Sequence, residues 1–424
     1  MDALKEYLKN SYTAYHAVEN AKAILEEQGF KRLYETDDWA LAEDGKYYVE
    51  RDGSSLIAFT IGAMDEFSYK IVASHTDSPA LKIKENPETG ASPYVSLNVE
   101  PYGGGVWYSF LDRPLKIAGR VIRNENGALR SDIYTSPFQV SIPSVAVHMN
   151  RGVNEGFAVN PQVDLLPLFA LKQSGATLES VLENEDGNTV AFDLFLSPAT
   201  EPYTFGVNDE FLAAPRIDNL TSVYASVSAL LSHGDGNGVC IAALFDNEET
   251  GSLTAKGADG DFLETVLRRI AYSFRFDDNE YYKALANSFM LSVDNAHAAH
   301  PNHPEHSDPT NKTTMGGGVV LKHHANRAYT TDASSAAIVK TLCEKADVAC
   351  QPFFNRSNAR SGSTLGAASL RHVSMRAADI GIAQLAMHSA CECFACKDYE
   401  DMLKLLQTFY SSELAFVKDD ILIR

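Results

Sequence analysis

The chain has 424 residues, and its 36 basic and 56 acidic side chains give a formal net charge of −20. Because nucleic acids and anionic membranes repel a surface of their own sign, we expect neither as a partner. No apolar run reaches the roughly 18 residues of a membrane span, and the first residues lack the basic and apolar regions of a signal peptide, so the sequence predicts a cytoplasmic protein.

An amphipathic helix over residues 13–28 opens an α/β pattern, and three short strands follow between residues 47 and 74. The third strand runs directly into His75, and Asp77 comes two residues later. A histidine at a strand end is a candidate metal ligand when a nearby carboxylate can orient its ring. The same pair of residues is common by chance, so this assignment depends on the rest of the chain.

The middle of the chain alternates apolar and polar residues between glycine- and asparagine-rich turns, which is typical of β-structure. We therefore predict a discontinuous α/β domain at 1–91 and 206–424, with an inserted β-rich domain at 92–205. The last strand predicted in the insert covers 144–149 and contains His148. From its position alone, His148 is more typical of a core or interface histidine than of a catalytic one.

Helical spacing resumes after Asp218, which places this aspartate near a helix N-terminus, either as a cap or as a metal ligand. The run 239–245 has the composition of a buried strand and is followed by Asp246, Glu248 and Glu249. Carboxylates crowded at a buried strand end repel one another, and a cation would relieve that repulsion. Two adjacent glutamates can also divide the work of a metallohydrolase, because one can bind metal while the other accepts a proton from water. The alternative is an exposed acidic turn.

Two further apolar runs end in candidate ligands, with Asp294 after 289–293 and His388 after 380–387. In α/β sheets, ligands bind beyond the carboxyl ends of the strands, so these residues should meet at one edge of the sheet. The mixture of imidazole and carboxylate ligands suits zinc, cobalt or manganese. If Asp218 bridges two ions, each ion receives one histidine and one further carboxylate.

Two other groups of potential metal ligands are less persuasive. A histidine tract could form a zinc site of its own, but its irregular spacing in a loop rich in proline and asparagine favours solvated side chains for most of its members, at positions 297, 300, 303, 306, 323 and 324. The cysteines lack the second CxxC motif of a four-thiolate cluster, and we expect free thiols at positions 240, 343, 350, 391, 393 and 396.

The chain resembles the aspartyl aminopeptidase family along essentially its whole length. The segments that carry the resemblance are SHTDSP at 74–79, IDN at 217–219, DNEETGS at 246–252, VDNAHAAHPN at 293–302 and QLAMHS at 384–389. The resemblance implies an α/β fold, in which a mixed-sheet, zinc-exopeptidase-like catalytic domain carries an inserted β-rich dimerisation or lid domain. It also implies a two-metal aminopeptidase that acts on peptides with a free N-terminus and releases N-terminal Asp or Glu.

The resemblance further implies the metal site. Two zinc ions, which cobalt or manganese can replace, would be held by His75, Asp218 as the bridge, Glu249, Asp294 and His388.

The remaining family roles concern catalysis, specificity and assembly. By resemblance, Glu248 is the general base, Asp77 orients His75, and Lys322 presents a cation to the acidic side chain of the substrate. His148 reaches into the active site of a neighbouring subunit, within a homo-oligomer that in the family is a tetrahedral dodecamer built from dimers.

The segment 355–364 departs from the family pattern, since Asn358 stands where members commonly carry aspartate and Arg360 where they carry a smaller residue. Because these departures lie outside the candidate metal ligands, they bear on substrate preference more than on the hydrolytic reaction. Other functions remain open at this stage: an aminopeptidase of broader or neutral specificity, a deacylase or carboxypeptidase with the same site, or a non-enzymatic shell held together by metals. The pair Glu248 and Glu249 disfavours the shell, because assembly needs no base.

Overall fold

The computed structural model describes residues 1–64, 67–91, 93–183, 188–232, 237–359 and 362–424. The α-helices in these ranges are α1 (Asp2–Asn10), α2 (Ala14–Glu27), α3 (Pro161–Asp164), α4 (Leu178–Leu182), α5 (Ile217–Leu231), α6 (Phe262–Ser273), α7 (Asp278–Ala286), α8 (Ala333–Lys345), α9 (Leu365–Ser369) and α10 (Cys396–Ser411). Short 3-10 helices cover Trp107–Phe110, Lys172–Ser174, Glu248–Thr250 and Pro304–His306.

The strands of the α/β part are β1 (Lys31–Leu33), β2 (Lys46–Arg51), β3 (Ser55–Ile61) and β4 (Tyr69–His75). Those of the middle region are β5 (Ala80–Thr89), β6 (Tyr94–Tyr102), β7 (Leu115–Glu125), β8 (Ala128–Thr135), β9 (Leu168–Leu171) and β10 (Asn188–Pro198). The remaining strands are β11 (Tyr203–Phe205), β12 (Phe211–Ala214), β13 (Val239–Phe245), β14 (Phe289–Val293), β15 (Ala296–His297), β16 (Val319–Lys322), β17 (Cys350–Phe353), β18 (Arg376–Gly381), β19 (Ala383–Leu385), β20 (Glu392–Ala395), β21 (Leu414–Val417) and β22 (Asp420–Ile423).

A nine-stranded mixed sheet forms the centre of the molecule, in the order β1-β2-β3-β13-β4-β14-β18-β16-β17. Its middle strands β13, β4, β14 and β18 run parallel to one another. The carboxyl ends of these four strands therefore lie at the same edge of the sheet. This mixed α/β architecture agrees with the predicted fold class.

The sheet is buried on both faces, and β13 shows why. Successive side chains of a strand point to opposite faces. Cys240, Ala242 and Leu244 accordingly pack in the core formed with α1, α2, α5, α8 and α10, whereas the alternate residues pack against α6, α7 and α9. The continuous apolar run of β13 is thus the pattern expected of a strand covered by helices on both sides.

The middle region forms a separate six-stranded sheet, in the order β8-β7-β10-β5-β6-β9, and its strands pair antiparallel around a core of their own. The first strand of this sheet, β5, begins at Ala80, ahead of the predicted boundary at residue 92, which lies outside the described residues. The division of the chain into catalytic and inserted domains stays a prediction.

The strand predicted at 144–149 is wrong. This segment forms a turn in which Met149 N donates to Ala146 O at 2.8 Å. Val145, Val147 and Met149 are 56%, 51% and 82% exposed, so the apolar alternation of the sequence here marks a surface and not a strand face. Within the described residues, no strand pairs with the segment.

A five-stranded sheet, in the order β11-β12-β20-β19-β15, lies beside the carboxyl edge of the large sheet. Its strand β12 leads towards Asp218, and β19 leads to His388. In the part of the chain that the structure describes, none of the helices combines the length and hydropathy needed to cross a lipid bilayer.

Candidate metal centre

The two sheets converge on a group of imidazoles and carboxylates. His75 is the last residue of β4, Asp294 follows β14, and the 3-10 helix after β13 carries Glu248 and Glu249. Asp218 and His388 follow β12 and β19 of the five-stranded sheet. Each of these residues stands where a buried strand ends, which is where an α/β sheet leaves backbone and side chains free to bind a ligand.

Asp218 lies between two sets of ligand atoms. Its Oδ1 is 3.6 Å from His75 Nε2, which is also 3.6 Å from Asp294 Oδ1. Its Oδ2 is 3.4 Å from His388 Nε2, which is 3.1 Å from Glu249 Oε1. The ligand atoms of each set lie within 4.8 Å of one another, so Asp218 belongs to both.

These separations fit zinc. A tetrahedral zinc ion with nitrogen and oxygen ligands at about 2.0–2.2 Å holds neighbouring ligand atoms about 3.4 Å apart. The four observed separations between ligand atoms lie between 3.1 and 3.6 Å. In addition, Asp218 Oδ1 and Glu249 Oε1 are buried without a hydrogen-bond partner among the described residues. A buried carboxylate oxygen without a hydrogen bond is costly, so a bound cation would stabilise both oxygens.

The backbone at Asp218 is irregular. The helix α5 begins at Ile217, but Asp218 and Asn219 have non-helical dihedral angles, and the peptide bond between them is cis. The prediction that Asp218 stands at a helix N-terminus is therefore right for its position, but its side chain is not a cap. The Asp218 carboxylate lies between the rings of His75 and His388.

The electrostatics of the site are those of crowded buried charges. Burial raises the pKa of Glu248 to about 8, with Asp294 and Glu249 adding to the effect and His75 opposing it. Burial likewise raises the pKa of Glu249 to about 7. Burial alone would lower the pKa of His388, but the neighbouring carboxylates of Asp218 and Glu249 outweigh burial and raise it to about 12. These shifts show that the crowded carboxylates favour nearby positive charge.

Asp77 holds the loop that carries both glutamates. Its Oδ1 accepts a hydrogen bond from Glu248 N at 3.1 Å, and its Oδ2 accepts one from Glu249 N at 3.2 Å. The Tyr102 hydroxyl donates to the same Oδ2 at 2.7 Å. The Nδ1 atom of His75 lies 3.0 Å from the Asp77 main-chain oxygen and 3.4 Å from Oδ1. Asp77 thus contacts the histidine and both glutamates at once.

Lys322 is buried at the end of β16, and its ammonium group is fully engaged. Its Nζ donates to Asp294 Oδ2 at 3.0 Å, to Asp294 O at 3.1 Å and to Asn295 O at 3.0 Å. Because an ammonium has three donors, a substrate carboxylate would have to replace one of these contacts. Asp294 Oδ1 stays on the His75 side, so the lysine and a metal ion can share this carboxylate.

Glu392, at the start of β20, is a site residue that the sequence analysis missed. It is 2% exposed, its Oε2 accepts from Asp218 N at 2.9 Å, and its Oε1 accepts from His388 N at 2.5 Å. Burial, together with the negative charge of Asp218, raises the pKa of Glu392 to about 8. The available signal was a single glutamate inside an otherwise apolar run that becomes a buried strand.

A cavity of about 400 Å³ opens over these side chains. Besides the candidate ligands and Glu248, its lining includes His297, Lys322, Tyr329, Phe353 and Arg371. The described lining residues include one lysine, Lys322, and one arginine, Arg371. Arg371 Nη1 donates to Asp259 Oδ2 at 2.6 Å, and its side chain is 63% exposed.

Three residues singled out from the sequence lie apart from this group or outside the described residues. His148 lies in the exposed turn of the middle region, and it is not among the described residues that line the cavity of its own chain. Asn358 is exposed, and Arg360 lies outside the described residues. All cysteines are free, as predicted.

Comparisons with known proteins agree on one family. The family model described as aminopeptidase I zinc metalloprotease (M18) matches residues 7–410. The chain is 40% identical over 423 residues to the probable M18 family aminopeptidase 2 of Clostridium acetobutylicum, covering 96% of this chain and 98% of that relative.

Solved structures show the same architecture. A chain in the cryo-EM structure of the Ape4 and Nbr1 complex superposes with a TM-score of 0.92 at 31% identity, covering 96% of this chain and 84% of that one. The structure of the S. cerevisiae mApe1 dodecamer superposes with a TM-score of 0.81 at 26% identity, covering 96% of this chain and 95% of that one.

Proposed function

Because the chain belongs to the aminopeptidase I zinc metalloprotease (M18) family, we propose that it releases N-terminal Asp or Glu from peptides with a two-zinc site. Its membership makes it a zinc metallo-aminopeptidase, and the resemblance to aspartyl aminopeptidases agrees with that family. The number of ions, the acidic preference and the roles of individual residues belong to the proposal.

The observation that carries the proposal is the position of Asp218. One of its oxygens faces His75 and Asp294, and the other faces His388 and Glu249. A carboxylate with one oxygen towards each ligand set is what a pair of ions about 3.5–4 Å apart requires. We therefore assign His75, Asp294 and Asp218 to one zinc ion, and His388, Glu249 and Asp218 to the other.

When bound, the two ions would polarise the scissile carbonyl and lower the pKa of the attacking water. Glu248 would accept the proton of that water and deliver it to the leaving amine. Its carboxyl group lies with His75 and Glu249 in a third group of ligand atoms within 4.8 Å of one another, so it would lie beside the bound ions without belonging to either ligand set that shares Asp218. The hydrogen bonds from the Glu248 and Glu249 amides to Asp77 keep base and ligand in a fixed relation.

An acidic substrate side chain needs a cation in the cavity. Lys322 is the buried candidate, and its charge is already shared with Asp294. Arg371 is the more exposed candidate, and its guanidinium group forms an ion pair with Asp259. We assign the substrate contact to Lys322, as the family resemblance implies, and retain Arg371 as the rival that mutation can separate from it.

His148 fits a role between subunits. It is exposed on the middle region, beside the exposed side chains of Val147 and Met149. We propose that it enters the active site of a neighbouring copy and donates a hydrogen bond to the developing oxyanion. The mApe1 relative forms a dodecamer, and we propose a homo-oligomer here too, with tetrahedral dodecameric symmetry built from dimers.

The test is hydrolysis of unblocked dipeptides whose first residue is Asp, Glu, Leu or Lys, with metal-free enzyme and after addition of Zn²⁺, Co²⁺ or Mn²⁺. We expect metal-dependent release of Asp or Glu, and no release once the N-terminus is acetylated. Preferential release of Leu would contradict the acidic specificity but would still support metal-dependent aminopeptidase chemistry. Cleavage of acetylated substrates alone would instead favour a deacylase or a carboxypeptidase.

A further inference from the structure

A second group of metal-binding side chains lies outside this centre, in and beside the 3-10 helix Pro304–His306. His303, Glu305 and His306 each offer one ligand atom, and the three atoms lie within 4.8 Å of one another. Glu305 Oε1 is 3.2 Å from His303 Nδ1 and 3.6 Å from His306 Nε2. These separations match the edge of about 3.4 Å expected between ligands of a tetrahedral zinc ion.

The backbone presents these side chains in a defined turn. His303 N donates to His300 O at 3.1 Å, and His306 N donates to His303 O at 3.2 Å. Pro304 occupies the first position of the turn, where its fixed φ angle suits a helix start. Arg356 Nη1 donates to Glu305 O at 2.6 Å and ties the turn to a distant segment. The ligand side chains therefore start from an ordered backbone, and binding a metal requires little reorganisation.

We propose that His303, Glu305 and His306 form a third metal site, which takes a first-row divalent ion such as Zn²⁺, with solvent completing the coordination. Two imidazoles and one carboxylate favour zinc, nickel or cobalt over the oxygen-seeking calcium and magnesium. The side chains are 59%, 59% and 74% exposed for His303, Glu305 and His306, so the ion would exchange with solvent more readily than the buried pair.

The simpler alternative is an ion pair between a protonated His303 and Glu305. Metal counting separates the two explanations, because an ion pair takes up no metal. Zinc-loaded enzyme, freed of excess metal, is titrated with Zn²⁺ under equilibrium dialysis, and bound zinc is measured by mass spectrometry. We expect one further equivalent per chain, and its loss when His303→Asn and His306→Asn are combined.

His300→Asn is the matched control. The His300 ring lies next to His303, with centroids 5.2 Å apart, but it is not part of the three-residue group. We expect this variant to keep the further equivalent. The proposal is overturned if the wild-type enzyme takes up no further zinc, if the double variant still takes it up, or if His300→Asn loses it.

A second inference concerns Glu392 and rests on the two-zinc assignment proposed above. The two segments whose amides contact Glu392 both contain a non-glycine residue with a positive φ angle. His388 has a φ of 65°, and Arg216, two residues before Asp218, has a φ of 60°. Non-glycine residues in this left-handed region persist only where the surrounding structure holds them. The Glu392 carboxylate accepts hydrogen bonds from the amides of both His388 and Asp218.

We infer that Glu392 is a positioning residue that fixes the ligand His388 relative to the bridging Asp218. Its register makes this possible, because Glu392 pairs with Ala214 across β12 and β20, next to the chain that leads to Asp218. A glutamine at this position keeps the volume but has a single acceptor oxygen, so one of the two amides would face an N–H₂ group. Loss of such an outer contact typically weakens metal binding by about 10- to 100-fold.

The experiment compares Glu392→Gln with Asp398→Asn. Asp398 is also fully buried and also accepts from two amides, Gly316 N at 2.7 Å and Gly318 N at 2.8 Å, but it touches none of the ligands. We expect Glu392→Gln to bind one zinc ion about 10- to 100-fold more weakly, while Asp398→Asn keeps wild-type zinc affinity whatever its thermal stability.

Equal zinc affinity in Glu392→Gln and wild type would overturn this inference, as would an equal loss of affinity in the two variants. Its failure is distinct from failure of the proposed function. If the wild-type enzyme itself bound fewer than two zinc ions in the buried centre, the two-zinc assignment would be wrong. The inference about Glu392, which rests on that assignment, would then be wrong as well.

Discussion

Replacing Glu248 by glutamine should separate catalysis from metal binding. Glutamine keeps the size of the side chain, and the main-chain hydrogen bond from residue 248 to Asp77 does not depend on the substitution. Glu248 belongs to neither of the two ligand sets that share Asp218, so we expect the variant to bind as much zinc as the wild type. The change should therefore act on proton transfer alone.

The size of the effect follows from the role of a general base. Positioned acids and bases contribute about 10²- to 10⁴-fold to rate, which corresponds to about 3–5 kcal/mol of activation free energy. The assay is kcat for an unblocked Asp dipeptide at saturating substrate, with the zinc content of the same sample measured in parallel. We expect kcat to fall by that factor at unchanged zinc content.

Glu249→Gln is the matched comparison, because it alters the neighbouring glutamate that faces His388. We expect this variant to lose zinc and activity together. Full turnover of Glu248→Gln with zinc bound would refute the assignment of Glu248 as the base, and parallel loss of zinc in both variants would show that Glu248 is a ligand instead.

Further predictions concern specificity, assembly and stability. Lys322→Met should lower kcat/KM for Asp dipeptides relative to Leu dipeptides. If only Arg371→Met lowered this ratio, Arg371 and not Lys322 would contact the acidic side chain of the substrate. His148→Ala should lower kcat by about 10²- to 10³-fold, as for loss of one oxyanion donor, with oligomer size by light scattering unchanged; full activity, or a fully active monomer, would contradict the shared site. Burial, with a smaller effect of a nearby arginine, lowers the pKa of His16 to about 4, below the 6.5 of an unfolded histidine, so protonation favours unfolding. The free energy of unfolding should therefore fall by up to about 3 kcal/mol as the pH drops from 6.5 towards 4. In urea unfolding across this pH range, His16→Gln should weaken the dependence of that free energy on pH, and an unchanged dependence would contradict the prediction.

Local sequence patterns predicted the fold class and the strands at whose ends the candidate ligands stand. The reason is that a buried strand with helices on both faces has a continuous apolar run, and the residue that ends the run is visible in the sequence. His75 and Asp294 were identified in this way. The apolar run before His388 instead divides into β18 and β19, which belong to different sheets. The same reasoning failed at 144–149, because apolar residues that alternate on a surface look like a strand face.

Contacts between distant segments could not be read from local patterns. Glu392 accepts from the amide of Asp218, 174 residues away in the chain, and only the pairing of β12 with β20 brings them together. The ion pair of Lys322 with Asp294 likewise depends on the arrangement of β14, β18 and β16 in the large sheet. Sequence spacing favoured solvated side chains in the histidine tract, and His303 and His306 are indeed mostly exposed. That spacing gave no sign that the turn at Pro304 brings their rings close to Glu305.

The most direct test of the two-zinc centre is the zinc content of Asp218→Asn beside that of the wild type. Both are dialysed against the same zinc concentration, chosen low enough to leave the exposed histidine turn empty. We predict two zinc ions per wild-type chain, and loss of both from the variant, because each ligand set loses the charge of its shared carboxylate. Two zinc ions retained by Asp218→Asn, or a single ion in the wild type, would contradict the account.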